Sequence, residues 1–358
     1  MATSHPNPAS PSEPRAARPG EPVTRYRAAA KRSGTPGAIR VVAVVDGDLR
    51  ESVGDAALTD LPELLRDPDS AVWIDLTSPT QDLALRVGST LNLHPLIVED
   101  VLEGNQRAKI ETTDGVIHIV LFNLVYGERV TASELDFVLA PGFLLTVHDA
   151  TWDPRATSHL RSGIAPVLRH GPDHLLWALA DDIVDGYFPF ADRLGEAIDE
   201  VQDEVVRTPS RNTVENLFRF KRELIEVRRA VSPVREVFSQ LTNRDIAMID
   251  AEEIVYFRDV YDHVIRLTDE LDNHRELASV TLDVYLTQVN NNLSVIMKRL
   301  TGVTVVVAGI GAVGGIFGMS QATPALAGEE GFGFWAITVA TIAIAAVATY
   351  VLRRIDWI

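Results

Sequence analysis

Polar, acidic and small side chains follow one another every three or four positions near the end of the chain. These positions are Asp283, Thr287, Asn290, Ser294, Met297, Thr301, Thr304, Ala308 and Gly311. Residues with this spacing lie on one face of an α-helix. Amide oxygens can bind the water molecules of a hydrated cation without a fixed charge, and two more asparagines follow Asn290. The stripe therefore predicts either the lining of a hydrated pore or a surface that packs against another helix.

The chain has 358 residues and a formal net charge of −17, and its excess acid lies between residues 41 and 299. A protein with this charge is not a general binder of polyanions, so we expect cationic partners and no nucleic acid. The absence of cysteine excludes disulfides, thiolate zinc sites and cysteine nucleophiles. No HExxH motif or nucleophile elbow is present, so we predict neither enzyme activity nor an organic cofactor.

Two uncharged segments, residues 300–319 and 332–352, are each long enough to cross a membrane, which takes about 20 residues. Basic pairs precede the first segment and follow the second, at Lys298–Arg299 and Arg353–Arg354. The positive-inside rule therefore predicts that both termini are cytoplasmic and that the loop 320–331 is not. We expect a multi-pass protein of the cell (inner or plasma) membrane, in contact with lipid.

The remainder of the chain divides into three regions and a short terminus. Residues 1–39 are basic and rich in proline, which predicts a disordered tail. Short apolar runs bounded by turn residues predict strands in a cytoplasmic α/β domain over residues 40–172. The predicted strands are residues 39–45, 71–76, 116–124, 135–139 and 143–147. Helical spacing over residues 173–299 predicts a long helical stalk, and residues 353–358 form the cytoplasmic C-terminus. The predicted fold class is an α+β membrane protein.

Several short motifs within residues 40–358 together resemble the CorA-type family of divalent cation channels and transporters. They include Leu93-His-Pro-Leu96, Lys109-Ile-Glu111, Glu134-Leu-Asp-Phe137, Tyr256-Phe-Arg-Asp-Val-Tyr-Asp-His263 and Val295-Ile-Met-Lys298. The resemblance implies a homopentameric funnel in which five long helices line the pore and the second spans surround them. It also implies transport of Mg²⁺, with Co²⁺ and Ni²⁺ as further candidates.

The resemblance assigns a selectivity filter to the outer end of the first span. Similar members of the family carry Gly-Met-Asn there, and its oxygens hold a hydrated Mg²⁺. This chain has Gly318, Met319 and Ser320 at that place. Glu329 and Glu330 in the following loop are candidates for an acidic outer ring, or for residues that only keep the loop soluble.

The resemblance also implies regulation by the transported ion. In the family, Mg²⁺ bound between the cytoplasmic domains of neighbouring subunits holds the pore closed, and the matching acidic ligands are Asp100, Asp181 and Asp259. Because Ser320 is shorter than asparagine and leaves a wider ring, two other functions stay open. One is a ZntB-like Zn²⁺ transporter, and the other is a membrane-anchored pentameric sensor or scaffold that does not conduct.

Overall fold

A computed structural model describes residues 37–355, apart from residues 69, 105, 126–129, 208, 244–245 and 320–331. The chain divides into two compact units. Within the described residues, the first comprises 37–125, 131–185 and 230–262, and the second comprises 130, 186–229 and 263–355. The first unit contains a β-sheet, and the second is helical.

A seven-stranded sheet organises the first unit. Its strands are β1 (Ala38–Val45), β2 (Asp48–Val53), β3 (Ala71–Thr77), β4 (Lys109–Thr113), β5 (Val116–Val125), β6 (Thr131–Ala140) and β7 (Phe143–His148). Their order is β2-β1-β3-β7-β6-β5-β4, with β3 and β7 parallel and the other neighbours antiparallel. The five strands predicted from apolar runs are confirmed. The prediction missed β2 and β4 because these edge strands are polar.

Helices cover the sheet. They are α1 (Asp55–Leu64), α2 (Gln81–Thr90), α3 (Pro95–Glu103), α4 (Ile164–Leu168), α5 (Pro172–Asp185) and α8 (Val234–Leu241). The first three share one apolar core with alternate residues of the strands, including Val41, Ile74 and Val138. The intervening residues point to the opposite face, where Trp73 and Phe137 are fully buried and α5 contacts β3, β6 and β7. The core therefore lies on both sides of the sheet.

The second unit is built from long helices. They are α6 (Phe188–Arg207), α7 (Arg211–Val231), the greater part of α9 (Ile254–Met319) and α10 (Phe332–Arg354). Pro209 lies between α6 and α7, where its fixed φ and missing N–H favour a helix end. α6 approaches α9 closely at Gly195, because a Cβ atom there would lie 3.1 Å from the His274 ring. Arg228 of α7 forms an ion pair of 3.0 Å with Asp272 of α9.

α9 is one continuous helix of 66 residues, about 99 Å long. It confirms the long rod expected from the uninterrupted helical spacing. The part of α9 from Ile254 to Ile316 is long and apolar enough to cross a membrane, with a mean hydropathy of 1.7 in its most apolar window. Its large apolar side chains face outwards, and Ile296 and Val307 are 59% and 62% exposed.

The boundaries of the first regions differ from the prediction in detail. β1 begins at Ala38, which pairs with Thr77 of β3, so the last two residues of the predicted tail 1–39 belong to the sheet. Residues 1–36 lie outside the described residues. The predicted stalk begins at residue 173, whereas α5 lies in the same compact unit as the sheet. The division of the chain into domains stays a prediction.

Candidate metal-ion sites

The stripe of polar and small residues lies on α9, and all of its members are exposed in the single chain. Its hydroxyl groups donate hydrogen bonds to the carbonyl oxygen four residues earlier, at Thr287, Ser294, Thr301 and Thr304. Because each hydroxyl proton is used inside the helix, the oxygen lone pairs remain available as acceptors. From Asp283 to Gly311 the stripe extends over about 42 Å. It can therefore present a row of acceptors to a hydrated cation.

The predicted filter lies at the end of the same helix. Gly318 and Met319 belong to the last turn of α9. Ser320, Glu329 and Glu330 lie outside the described residues. The roles assigned to all five residues stay predictions.

Asp100 lies on α3 and is held by two side chains from the segment that leads into β4 and from β4 itself. Gln106 Nε2 donates to Asp100 Oδ1 at 3.2 Å, and Lys109 Nζ donates to Asp100 Oδ2 at 2.7 Å. The same ammonium donates to Glu111 Oε2 at 2.8 Å. Burial opposes charge on Lys109, but its hydrogen bonds to Asp100 and Glu111 outweigh that effect and raise the pKa of the ammonium above its ordinary 10.5. A lysine cation thus already neutralises this predicted metal ligand.

The other two predicted regulatory residues lie on helices. Asp181 of α5 is 8% exposed, and its Oδ2 lies 2.8 Å from His159 Nε2. Asp259 is exposed near the start of α9. Within the described part of one chain, Asp100, Asp181 and Asp259 do not form a common cluster. An ion that used all three would therefore have to bind between chains.

A mixed cluster that sequence reasoning missed surrounds Asp100. Asp100, Glu111 and His118 each place one potential ligand atom within 4.8 Å of the others. Glu111 of β4 is directly opposite His118 of β5, so both point to the face of the sheet that α3 covers. His118 is 1% exposed, and its Nε2 lies 2.8 Å from Oδ1 of the buried Asp136. The other ring nitrogen, Nδ1, has no hydrogen-bond partner among the described residues.

A second buried histidine–aspartate pair lies on the opposite face of the sheet. Trp73 Nε1 donates to Thr146 Oγ1 at 3.0 Å, and Thr146 Oγ1 donates to Asp75 Oδ1 at 2.5 Å. His148 Nε2 lies 3.1 Å from the same carboxylate oxygen, and its Nδ1 lies 2.6 Å from the Asp149 carbonyl. Burial opposes charge on His148, but Asp75 and the Asp149 carbonyl outweigh it and raise the pKa of the imidazole above 6.5. Every member of this network has a hydrogen-bond partner among the described residues.

Comparisons with known proteins identify the family. The sequence model of the family described as CorA-like Mg²⁺ transporter protein matches residues 68–354. The cobalt/magnesium transport protein CorA of Thermotoga maritima is 30% identical over 306 residues, which cover 83% of this chain and 87% of that protein. The putative metal ion transporter YfjQ of Bacillus subtilis is 26% identical over 260 residues, covering 72% and 81%.

The fold is shared with a solved structure. The complete structure of the CorA magnesium transporter from Methanocaldococcus jannaschii matches with a TM-score of 0.72 and 20% identity, over 90% of this chain and 99% of that one. The match therefore includes both the sheet and the long helix that carries the stripe. Since the matched region extends from the start of β3 to the end of α10, the chain belongs to the family of CorA-like Mg²⁺ transporter proteins.

Proposed function

We propose that the chain forms a homopentameric channel that moves Mg²⁺, and also Co²⁺ and Ni²⁺, across the cell membrane and is closed by intracellular Mg²⁺ at subunit interfaces. The relatives named as cobalt/magnesium transport proteins support Mg²⁺ and Co²⁺ as the transported ions. No nucleotide is required, because a divalent cation gains about 4.6 kcal/mol in crossing 100 mV, inside negative.

The stripe on α9 is the observation that carries the proposal. Its hydroxyl oxygens are left as acceptors, and Asn290 adds an amide that can bind the water of a hydrated ion. Large apolar side chains lie beside the stripe and are exposed in the single chain, among them Ile296 and Val307. Lipid and other copies of the helix can bury these side chains, and one helix alone cannot enclose a polar path. Several chains must therefore surround the pore.

We assign α10 to a second span. It has no charge before Arg353 and Arg354 in its last turn. Ile310 of α9 lines one groove together with Thr341 and Ala345 of α10, so the two helices lie side by side. In this topology both basic pairs and both termini are cytoplasmic. Because the chain has no native cysteine, single introduced cysteines and an impermeant thiol reagent can test it directly.

The donor chemistry of the regulatory residues fits Mg²⁺. Mg²⁺ prefers oxygen ligands, binds through one or two carboxylates and keeps several waters. Asp100, Asp181 and Asp259 supply carboxylates, and the exposed position of Asp259 makes it accessible to a neighbouring chain. Bound Mg²⁺ would neutralise carboxylates that otherwise repel each other across the interface. Loss of intracellular Mg²⁺ would then loosen the ring and open the pore.

The test is ion flux into proteoliposomes that contain the purified chain. Gradients of Mg²⁺, Co²⁺, Ni²⁺ and Zn²⁺ are imposed in turn, for the parent and for Ser320→Asn. We expect Mg²⁺ flux that is blocked by cobalt hexaammine, a stable mimic of a hydrated cation, and stronger block in Ser320→Asn. Flux of Zn²⁺ alone would support the ZntB-like transporter instead. No flux for any ion, in the parent or the variant, would support the scaffold.

A further inference from the structure

We propose that Asp100, Glu111 and His118 form a metal site within one chain that binds a transition-metal dication such as Co²⁺, Ni²⁺ or Zn²⁺, and that the Lys109 ammonium fills this site when no metal is bound. The three side chains come from α3, β4 and β5, and their ligand atoms lie within 4.8 Å of one another. This site differs from the proposed site between subunits, although both use Asp100.

The buried imidazole is the observation that points to a metal. Asp136 accepts a hydrogen bond from His118 Nε2, so neutral His118 keeps its lone pair on Nδ1. That nitrogen has no partner among the described residues, although the side chain is 1% exposed. A buried acceptor without a partner is costly in a folded protein. A histidine that ligates a metal commonly donates its other N–H to a carboxylate, which is the role that Asp136 plays here.

The donor set indicates the class of metal. Asp100 and Glu111 offer carboxylate oxygens, and His118 offers an imidazole nitrogen. Imidazole suits Zn²⁺, Ni²⁺ and similar ions, whereas Mg²⁺ prefers a shell made of oxygen alone. The mixed set therefore favours a transition metal over Mg²⁺, even when Mg²⁺ is in excess.

Lys109 occupies the place where a cation would bind. Its Nζ lies 2.7 Å from Asp100 Oδ2 and 2.8 Å from Glu111 Oε2, and the side chain is 16% exposed. Lys109 lies on β4, which is one of the two edge strands of the sheet. Displacement of Lys109 by a dication would exchange one positive charge for two beside the same carboxylates. Lys109 thus competes with the metal, and its removal should strengthen binding.

The consequence for gating, unlike the binding itself, rests on the proposed function. A transition metal held by Glu111 and His118 would also bind the Asp100 carboxylate, which is a ligand of the proposed regulatory Mg²⁺. The two ions would therefore compete for Asp100. Metal binding is measured without an ion gradient, so its result does not depend on transport. A chain that transports no ion can still bind the metal, which would confirm the site and contradict the proposed function. A chain that transports ions normally can fail to bind the metal, which would contradict the site alone.

The experiment is a Co²⁺ titration of the purified full-length chain in detergent, first without Mg²⁺ and then with excess Mg²⁺, which fills sites that have only oxygen ligands and competes for Asp100. Binding is followed by calorimetry and by the visible absorption of Co²⁺, which reports nitrogen coordination. We expect one such Co²⁺ per chain. His118→Gln, which keeps a donor for Asp136, should abolish the nitrogen-coordinated spectrum, and Asp136→Asn should weaken binding about 10- to 100-fold.

Lys109→Met separates a metal site from a structural ion pair. We expect it to tighten Co²⁺ binding at least about tenfold, because the metal no longer has to break the two charge-assisted hydrogen bonds of Lys109 and tenfold is the scale of one such bond. The matched control is His94→Asn, which changes a histidine at the N-terminus of α3 and keeps an acceptor for the Leu96 N–H. Unchanged binding in His118→Gln, or binding in Lys109→Met no tighter than in the parent, would overturn the proposal.

Discussion

Replacement of Asp75 by asparagine tests the buried network that joins the ends of β3 and β7. Asp75 Oδ1 accepts hydrogen bonds from Thr146 and His148, and the other nitrogen of His148 faces the Asp149 carbonyl. Both His148 nitrogens therefore have acceptors, an arrangement that only the imidazolium satisfies fully. In Asp75→Asn the imidazolium has lost its counter-charge. If His148 then loses its proton, either the side-chain oxygen at position 75 or the Asp149 carbonyl loses its hydrogen-bond donor.

The magnitude follows from burial, because Asp75 and His148 are 6% and 2% exposed. An acceptor left without a donor costs about 1–3 kcal/mol. Loss of one partner from a buried ion pair costs about 3–5 kcal/mol in all. We therefore expect Asp75→Asn to lower the free energy of unfolding by about 3–5 kcal/mol. Asp60→Asn, on the exposed side of α1, is the matched control and should change it by less than about 0.5 kcal/mol.

The pH dependence supplies an independent test of the same pair. The pKa of His148 is raised above 6.5 in the folded chain, so the folded state binds this proton more tightly. The contribution of the pair to folding stability is therefore fully present below pH 6.5. It is lost as the pH rises through the raised pKa of His148 in the folded chain. The assay is urea unfolding of the full chain followed by tryptophan fluorescence, because Trp73 belongs to the network. A loss below about 1 kcal/mol, with the same pH profile in parent and variant, would refute the reasoning.

Three further predictions concern the pore, its regulation and the second unit. Asn290→Leu should reduce cation flux more than tenfold, which corresponds to a rise of about 1.4 kcal/mol or more in the barrier to permeation. The control Asn292→Leu lies off the stripe and should change the flux little. Equal effects of the two substitutions would contradict a pore lined by the stripe. Asp259→Ala should raise cation flux into proteoliposomes at millimolar internal Mg²⁺. The control is Glu276→Ala, another exposed residue of the same helix. Unchanged flux in Asp259→Ala would exclude Asp259 from regulation. Glu204 accepts hydrogen bonds across the connection from α6 to α7, and these bonds lower the pKa of its carboxyl group. Their contribution to stability should therefore be lost as the pH falls through this lowered pKa. Glu204→Gln should lower the free energy of unfolding, measured by thermal unfolding, by less than about 1 kcal/mol. It should also reduce the loss of stability that the parent shows at acid pH.

Part of the newly proposed metal site was accessible from the sequence. Asp114 and Gly115 form a two-residue turn with φ of 52° and 78°, and an Asp-Gly pair is a strong signal for this type of hairpin. The turn sets the register that places Glu111 opposite His118. The hairpin was missed because Lys109–Thr113 is polar and lacks the apolar run by which the other strands were predicted. Asp136 could not be assigned to His118 in the same way, because their contact depends on the pairing of β5 with a third strand.

The sequence by itself determined the elements with local periodicity: the five apolar strands, the long helix α9 with its stripe, and the apolar segment that continues it. These follow from side-chain spacing along one segment, which needs no knowledge of distant residues. Only the tertiary structure decided that Lys109 fills the space between Asp100 and Glu111, and that His118 is buried with one nitrogen unpartnered. Those contacts join a helix to two strands of a sheet. They depend on long-range packing, which the pattern of a single segment does not encode.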